Sequence, residues 1–211
     1  MTKFNKKEEY CQVLSRFLPV GTVEYVADLI LNYDTHFRIS KKRKTKLGDY
    51  RSPRNGKGHC ISVNGDLNEY AFLITSIHEF AHLTTFNKFG HKVAPHGLQW
   101  KHEFKLLFNP IFELTELPED VTLAMTNYLK NAKASSCTDD KLSRVLKRYD
   151  KNINALFVEH LKIGDKFKLK GKTFVKGKKL RKYYLCQDLN TGRDYRVLGL
   201  AEVDSTHQDS K

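Results

Sequence analysis

From Glu69 to Asn87 the chain runs nineteen residues without Pro or Gly, with apolar side chains on nearly every side of the helix it would form. Such a helix has no polar face to turn toward water, so it must run through a core. Turn chemistry at Asn64-Gly65-Asp66 precedes it, Asn68 offers an N-cap, and Gly90 supplies the exit. The middle of this apolar stretch carries His78-Glu79-Phe80-Ala81-His82. Two imidazoles four residues apart on a helix point the same way and can grip one metal ion.

A hydrolytic zinc site needs three protein ligands, an open position for water and a carboxylate able to take that water's proton. His78 and His82 supply two ligands and Glu79 the catalytic base. For the third ligand the candidates are His91, His96, His102 and Glu103, and the connector is too short to exclude any by reach. His96 is preferred because His96-Gly97-Leu98-Gln99-Trp100 opens a second amphipathic stretch, ending at Asn109-Pro110, that presents His96 toward the first helix. His91 and His102 read as surface or supporting histidines, and Glu103 as a solvated helix residue.

With these residues in view the sequence resembles the SprT-like family of zinc metallopeptidases, which includes bacterial SprT and the Spartan protease domain. The resemblance is carried by HEFAH at 78 to 82 and by Val93-Ala-Pro-His-Gly-Leu-Gln-Trp-Lys101, similar to the family's "HG, two residues, aromatic, Lys" element. Lys46 to Arg51 and Ile61 to Asn64 resemble the short strands before the family's active-site helix, so the likeness spans roughly residues 5 to 110. It implies a zincin-like peptidase domain, one Zn2+, His96 as third ligand, and substrates among DNA-associated or DNA-crosslinked proteins. The fourteen residues from His82 to His96 set aside the metzincin pattern. Many family members carry a four-cysteine zinc ribbon after the catalytic domain. This chain has only Cys137 and Cys186 beyond residue 110, without a CxxC, so a second structural zinc is not expected.

The formal charge of +13 is concentrated. Residues 41 to 57 hold eight cations against Asp49, and residues 162 to 182 hold ten against Asp165. Clusters this dense point to a polyanionic partner, with Lys42, Arg43, Lys44, Lys168, Lys170, Lys178, Lys179 and Arg181 as the candidate nucleic-acid contacts. Neither a signal-peptide core nor a membrane-length apolar run is present, and the four cysteines show no disulfide spacing. A cytoplasmic protein without membrane contact is expected.

The expected fold class is α+β. Residues 1–135 form a zincin-like helical domain with a small antiparallel sheet, 136–160 a linker with a short basic helix, and 161–205 a small basic β domain. Helices are expected over Lys6 to Phe17, Val23 to Tyr33, Glu119 to Asn131 and Lys141 to Tyr149, besides the two around the histidines. Strands are expected at 37–40, 47–50 and 59–63, where a strand beside the metal helix could pair with an extended substrate and Tyr50 and His59 could border its cleft. Four or five strands follow residue 161, with Phe167, Phe174, Tyr183, Tyr184 and Tyr195 chiefly as core. Two functions compete: a metallopeptidase, and a nucleic-acid-associated, transcription-linked binding protein whose zinc only secures the fold.

Overall fold

Asn68 starts the central helix as its sequence requires: its side chain accepts a hydrogen bond from the Ala71 N–H at 2.9 Å, and helix α3 runs Glu69–Phe89. From Ala71 to Thr85 α3 is buried except at His82, with Phe72, Leu73, Ile77, Phe80, Ala81 and Leu83 wholly inaccessible, while its last turn emerges at Phe89. The hydroxyls of Ser76 and Thr85 are satisfied along the helix itself, on the Phe72 carbonyl (2.8 Å) and the Ala81 carbonyl (2.6 Å), so these two cost the core no unpaired donor. The computed structural model describes residues 3–43, 45–130, 139–151 and 156–205.

The chain divides into two units, Met1–Lys151 and Asn152–Lys211. In the first, α1 (Lys3–Leu14) and α2 (Val23–Asn32) lead into β1 (His36–Ser40), β2 (Gly48–Arg51) and β3 (Cys60–Asn64). After α3 come α4 (Leu98–Phe108), the single turn α5 (Ile111–Leu114), α6 (Glu119–Lys130) and α7 (Asp140–Lys147). The sheet order is β1-β3-β2, with β1 parallel and β2 antiparallel to β3. The sheet is thus mixed, not antiparallel as expected: β3 takes the centre because it carries the apolar pair Ile61 and Val63, both fully buried against α3 and its neighbours.

Helix α7 corrects the expected boundary at residue 135. Leu142 is fully buried in the core that surrounds α3. Asn68 donates to the Leu146 carbonyl (2.9 Å) and to Asp150 (2.6 Å), and the Tyr149 hydroxyl donates to Asp120 on α6 (2.7 Å). The basic helix read as part of a linker is therefore a member of the first unit, while residues 136–138 and 152–155 of the expected linker lie outside the described residues.

The second unit contains β4 (Lys166–Leu169), β5 (Lys172–Lys179), β6 (Tyr183–Asp188), β7 (Asp194–Leu198) and β8 (Asp204–Ser205), antiparallel in the order β7-β6-β5-β4-β8. Phe167, Phe174, Tyr184, Cys186 and Val197 form its core. Lys176 is buried on the same side, its ammonium donating to the Glu159 and Leu161 carbonyls and lying 4.1 Å from the centre of the Tyr184 ring. The chain as a whole is α+β, and no helix among the described residues is long and apolar enough to cross a membrane.

Candidate metal centre

His78 and His82 share one face of α3, and the turn before α4 brings His96 onto them. The three Nε2 atoms form a nearly equilateral triangle: 3.2 Å from His82 to His78, 3.0 Å from His82 to His96 and 3.1 Å from His96 to His78. Tetrahedral ligands about 2.0–2.1 Å from one ion lie about 3.3–3.4 Å apart, so the triangle needs to open by only about 0.3 Å. The donor chemistry fits as well. Burial, aided by the neighbouring imidazoles, pushes His78 down to about 3 and His82 to about 4, and burial also lowers His96. All three are neutral at pH 7. A neutral imidazole has only one N–H; with that proton on Nδ1, the three Nε2 lone pairs converge on one point, where a shared cation fits. These histidines form a group able to hold a metal ion.

His96 meets the triangle from an uncommon backbone conformation. Its φ of 58° lies in the left-handed region, where Asn, Asp and His are the enriched residues besides Gly. The following Gly97 caps α4, whose first turn brings Trp100 against all three imidazoles, with ring centres at 4.6, 5.4 and 4.8 Å from His78, His82 and His96. Trp100 is fully buried and stacks on Phe104; its indole N–H finds no acceptor among the described residues. The other third-ligand candidates lie elsewhere. His91 is exposed beside Phe86, His102 is exposed, and Glu103 is not solvated but buried, holding Lys88 at 2.7 Å.

Glu79 stands outside the imidazole cluster, pressed against β2. The close approach requires glycine at position 48: a methyl there would sit 2.7 Å from Thr75 Cγ2 and 2.8 Å from Glu79 Cγ. The Tyr50 backbone N–H donates to the Glu79 carboxylate. Burial raises that carboxyl to about 8 and Asp49 adds to the rise, against the pull of Tyr50, Arg43 and Lys46. A carboxylate poised near neutrality beside a metal-binding group is suited to exchange protons with a substrate or water. The Tyr50 hydroxyl is 3.0 Å from His59 Nδ1, and both residues line a cleft of about 1350 Å3 that also reaches His82 and Trp100, as their place in the sequence suggested. Sequence reasoning missed Gly48 and the packing role of Trp100; no periodic signal marks either one.

The candidate nucleic-acid residues divide. Arg43 is spent inside the fold, donating to Asn64 (2.7 Å), Ser62 (2.9 Å) and the Leu47 carbonyl (3.3 Å), and so pins the loop that delivers β2 to Glu79. This corrects its reading as a surface contact. Lys42 is exposed, 3.7 Å from Asp66, and Lys44 lies outside the described residues. Lys168, Lys170, Lys178, Lys179 and Arg181 are exposed on the second unit, but not as one patch. Lys168 pairs with Thr173, five residues or about 17 Å along β5 from Lys178.

No family model, curated protein or solved structure matches this chain.

Proposed function

We propose that the protein is a zinc-dependent metallopeptidase of the zincin, SprT-like kind. The observation that carries the reading is one combination: two imidazoles of the buried helix α3 and a third from the turn before α4 gathered with their Nε2 atoms within 3.2 Å of one another, and an acidic side chain of α3 held outside their cluster. His78, His82 and His96 would hold the ion, and an all-imidazole set suits zinc among the hydrolytic metals. When bound, zinc supplies Lewis acidity, lowering the pKa of water and polarising a carbonyl.

The remaining work falls to this chain's own residues. Glu79 accepts a proton from the attacking water and returns it to the leaving amine, its carboxylate oriented by the Tyr50 N–H and by contact with Gly48. Trp100 and Phe104 keep water from the back of the imidazoles. Strand β2, at the edge of its sheet and lining the cleft, offers backbone groups to an extended peptide. DNA-associated proteins are the proposed substrates, with the exposed lysines of the second unit as nucleic-acid contacts.

A zinc that only secured the fold would be closed by four protein ligands, whereas three cluster among the described residues. The test is incubation of zinc-loaded wild type and Glu79→Gln with a DNA-binding protein, with and without single-stranded DNA. Cleavage by wild type alone, faster with DNA, is expected. Cleavage by neither, with zinc bound to both, would overturn the reading.

A further inference from the structure

The lining of the cleft that reaches His82 is rich in cations. Lys6 on α1 and Arg51, Arg54 and Lys57 on the β2–β3 hairpin line it, against the single acid Asp34 among the described lining residues. The hairpin is built to hold two of these cations at its tip. Arg54 and Lys57 pair through reciprocal backbone hydrogen bonds of 3.1 Å around Asn55 (φ 52°) and Gly56 (φ 74°), as in a two-residue turn of type I′. Arg51 is balanced by Asp49 at 2.9 Å, but Lys6, Arg54 and Lys57 are exposed with no ion-pair partner among the described residues.

We propose that this cationic lining binds an acidic segment of the substrate, holding carboxylates beside the peptide bond presented at the metal centre; the inference rests on the peptidase reading for what the segment is joined to. Unpaired cations at the rim of a cleft attract anions and fix their register. An acidic peptide suits the cleft better than a nucleic-acid strand. Of the Tyr, Phe and Trp residues that line it, Tyr50 is engaged with His59 and His82, Phe86 with His59 and His91, Trp100 is fully buried and Tyr10 is half-buried against the core, so little ring surface is offered to stacking bases. Strand β2, at the edge of its sheet and lining the cleft, by contrast suits an extended peptide, whose alternate side chains recur on one side every ~6.8 Å.

The test measures binding, not turnover, on full-length Glu79→Gln protein. Fluorescence anisotropy is read for a labelled Asp/Glu-rich peptide, its Asn/Gln counterpart and a single-stranded oligonucleotide, at near-physiological salt. The acidic peptide should bind about tenfold more tightly than its amide counterpart, the effect of two or three exposed ion pairs. Adding Arg54→Gln and Lys57→Gln should abolish the difference while leaving the thermal melt unchanged, since both side chains are exposed at a turn. Equal binding of the two peptides, or a preference that survives the double substitution, overturns the inference. So does an oligonucleotide whose binding alone depends on Arg54 and Lys57. A failed peptidase reading would show instead as absent cleavage by wild type, which this binding measurement does not involve.

Discussion

Neutralising Glu79 should stabilise the metal-free protein, and increasingly so as pH rises. The residue is 7% exposed, and burial first, then Asp49, raise its carboxyl from 4.5 to about 8. A raised acid pKa means that the folded state keeps its proton at pH values where the unfolded chain has released it. Stability is therefore lost as pH climbs from 4.5 toward 8, and the loss levels off above that. Each pH unit between the two values corresponds to about 1.4 kcal/mol, so the penalty reaches about 3 kcal/mol at pH 7 and about 4 kcal/mol at pH 8. Glu79→Gln has nearly the same volume, still offers an oxygen to the Tyr50 N–H and cannot ionise. Urea unfolding of both proteins in chelator, followed by the fluorescence of the sole tryptophan, Trp100, reports this core directly. Between roughly pH 5 and 8 the variant should gain about 3–4 kcal/mol on wild type, and metal loading should close that gap because a dication favours the carboxylate. Parallel pH profiles for the two metal-free proteins would refute the placement of Glu79 in a desolvated site.

Other perturbations separate metal binding from catalysis and from folding. His96→Asn suits the left-handed backbone at 96, so circular dichroism should be native while metal affinity, measured by competition with a chelator, falls about 100-fold or more. Gly48→Ala should leave zinc stoichiometry at one but displace Glu79, lowering kcat by about 100-fold, a cost typical of a misplacement near 1 Å. Leu142→Ala should cost about 2–5 kcal/mol in urea unfolding read at Trp100, because α7 belongs to the core of the first unit; a change under 0.5 kcal/mol would return α7 to the linker.

What the sequence disclosed about α3 was nearly complete, since its signals are local. The Asn68 cap, the unbroken apolar run and Gly90 lie within or beside the helix, and the expected and observed starts agree at Glu69. The i, i+4 histidines needed no tertiary knowledge, and His96 was preferred because it opens the second amphipathic stretch and because the resemblance implies it. The first helix was set three residues late at each end, for it closes at Leu14, where Ser15 bonds back to the Gln12 carbonyl ahead of Pro19. The parallel pairing of β1 with β3 escaped notice because it joins strands separated by β2, and alternation within a strand says nothing of its partner. Arg43 and Glu103 were misread for a related reason. Their partners, Asn64 and Lys88, lie 21 and 15 residues away, where charge counting along the chain cannot find them.

The most direct test of the central claim is a zinc titration of metal-free protein, reading peptide cleavage and bound zinc in the same samples. Wild-type activity should be absent without metal, rise linearly to one equivalent of zinc and saturate there. Glu79→Gln should bind the same single equivalent and stay inactive. Activity in the metal-free protein, or cleavage by zinc-loaded Glu79→Gln, would contradict the account.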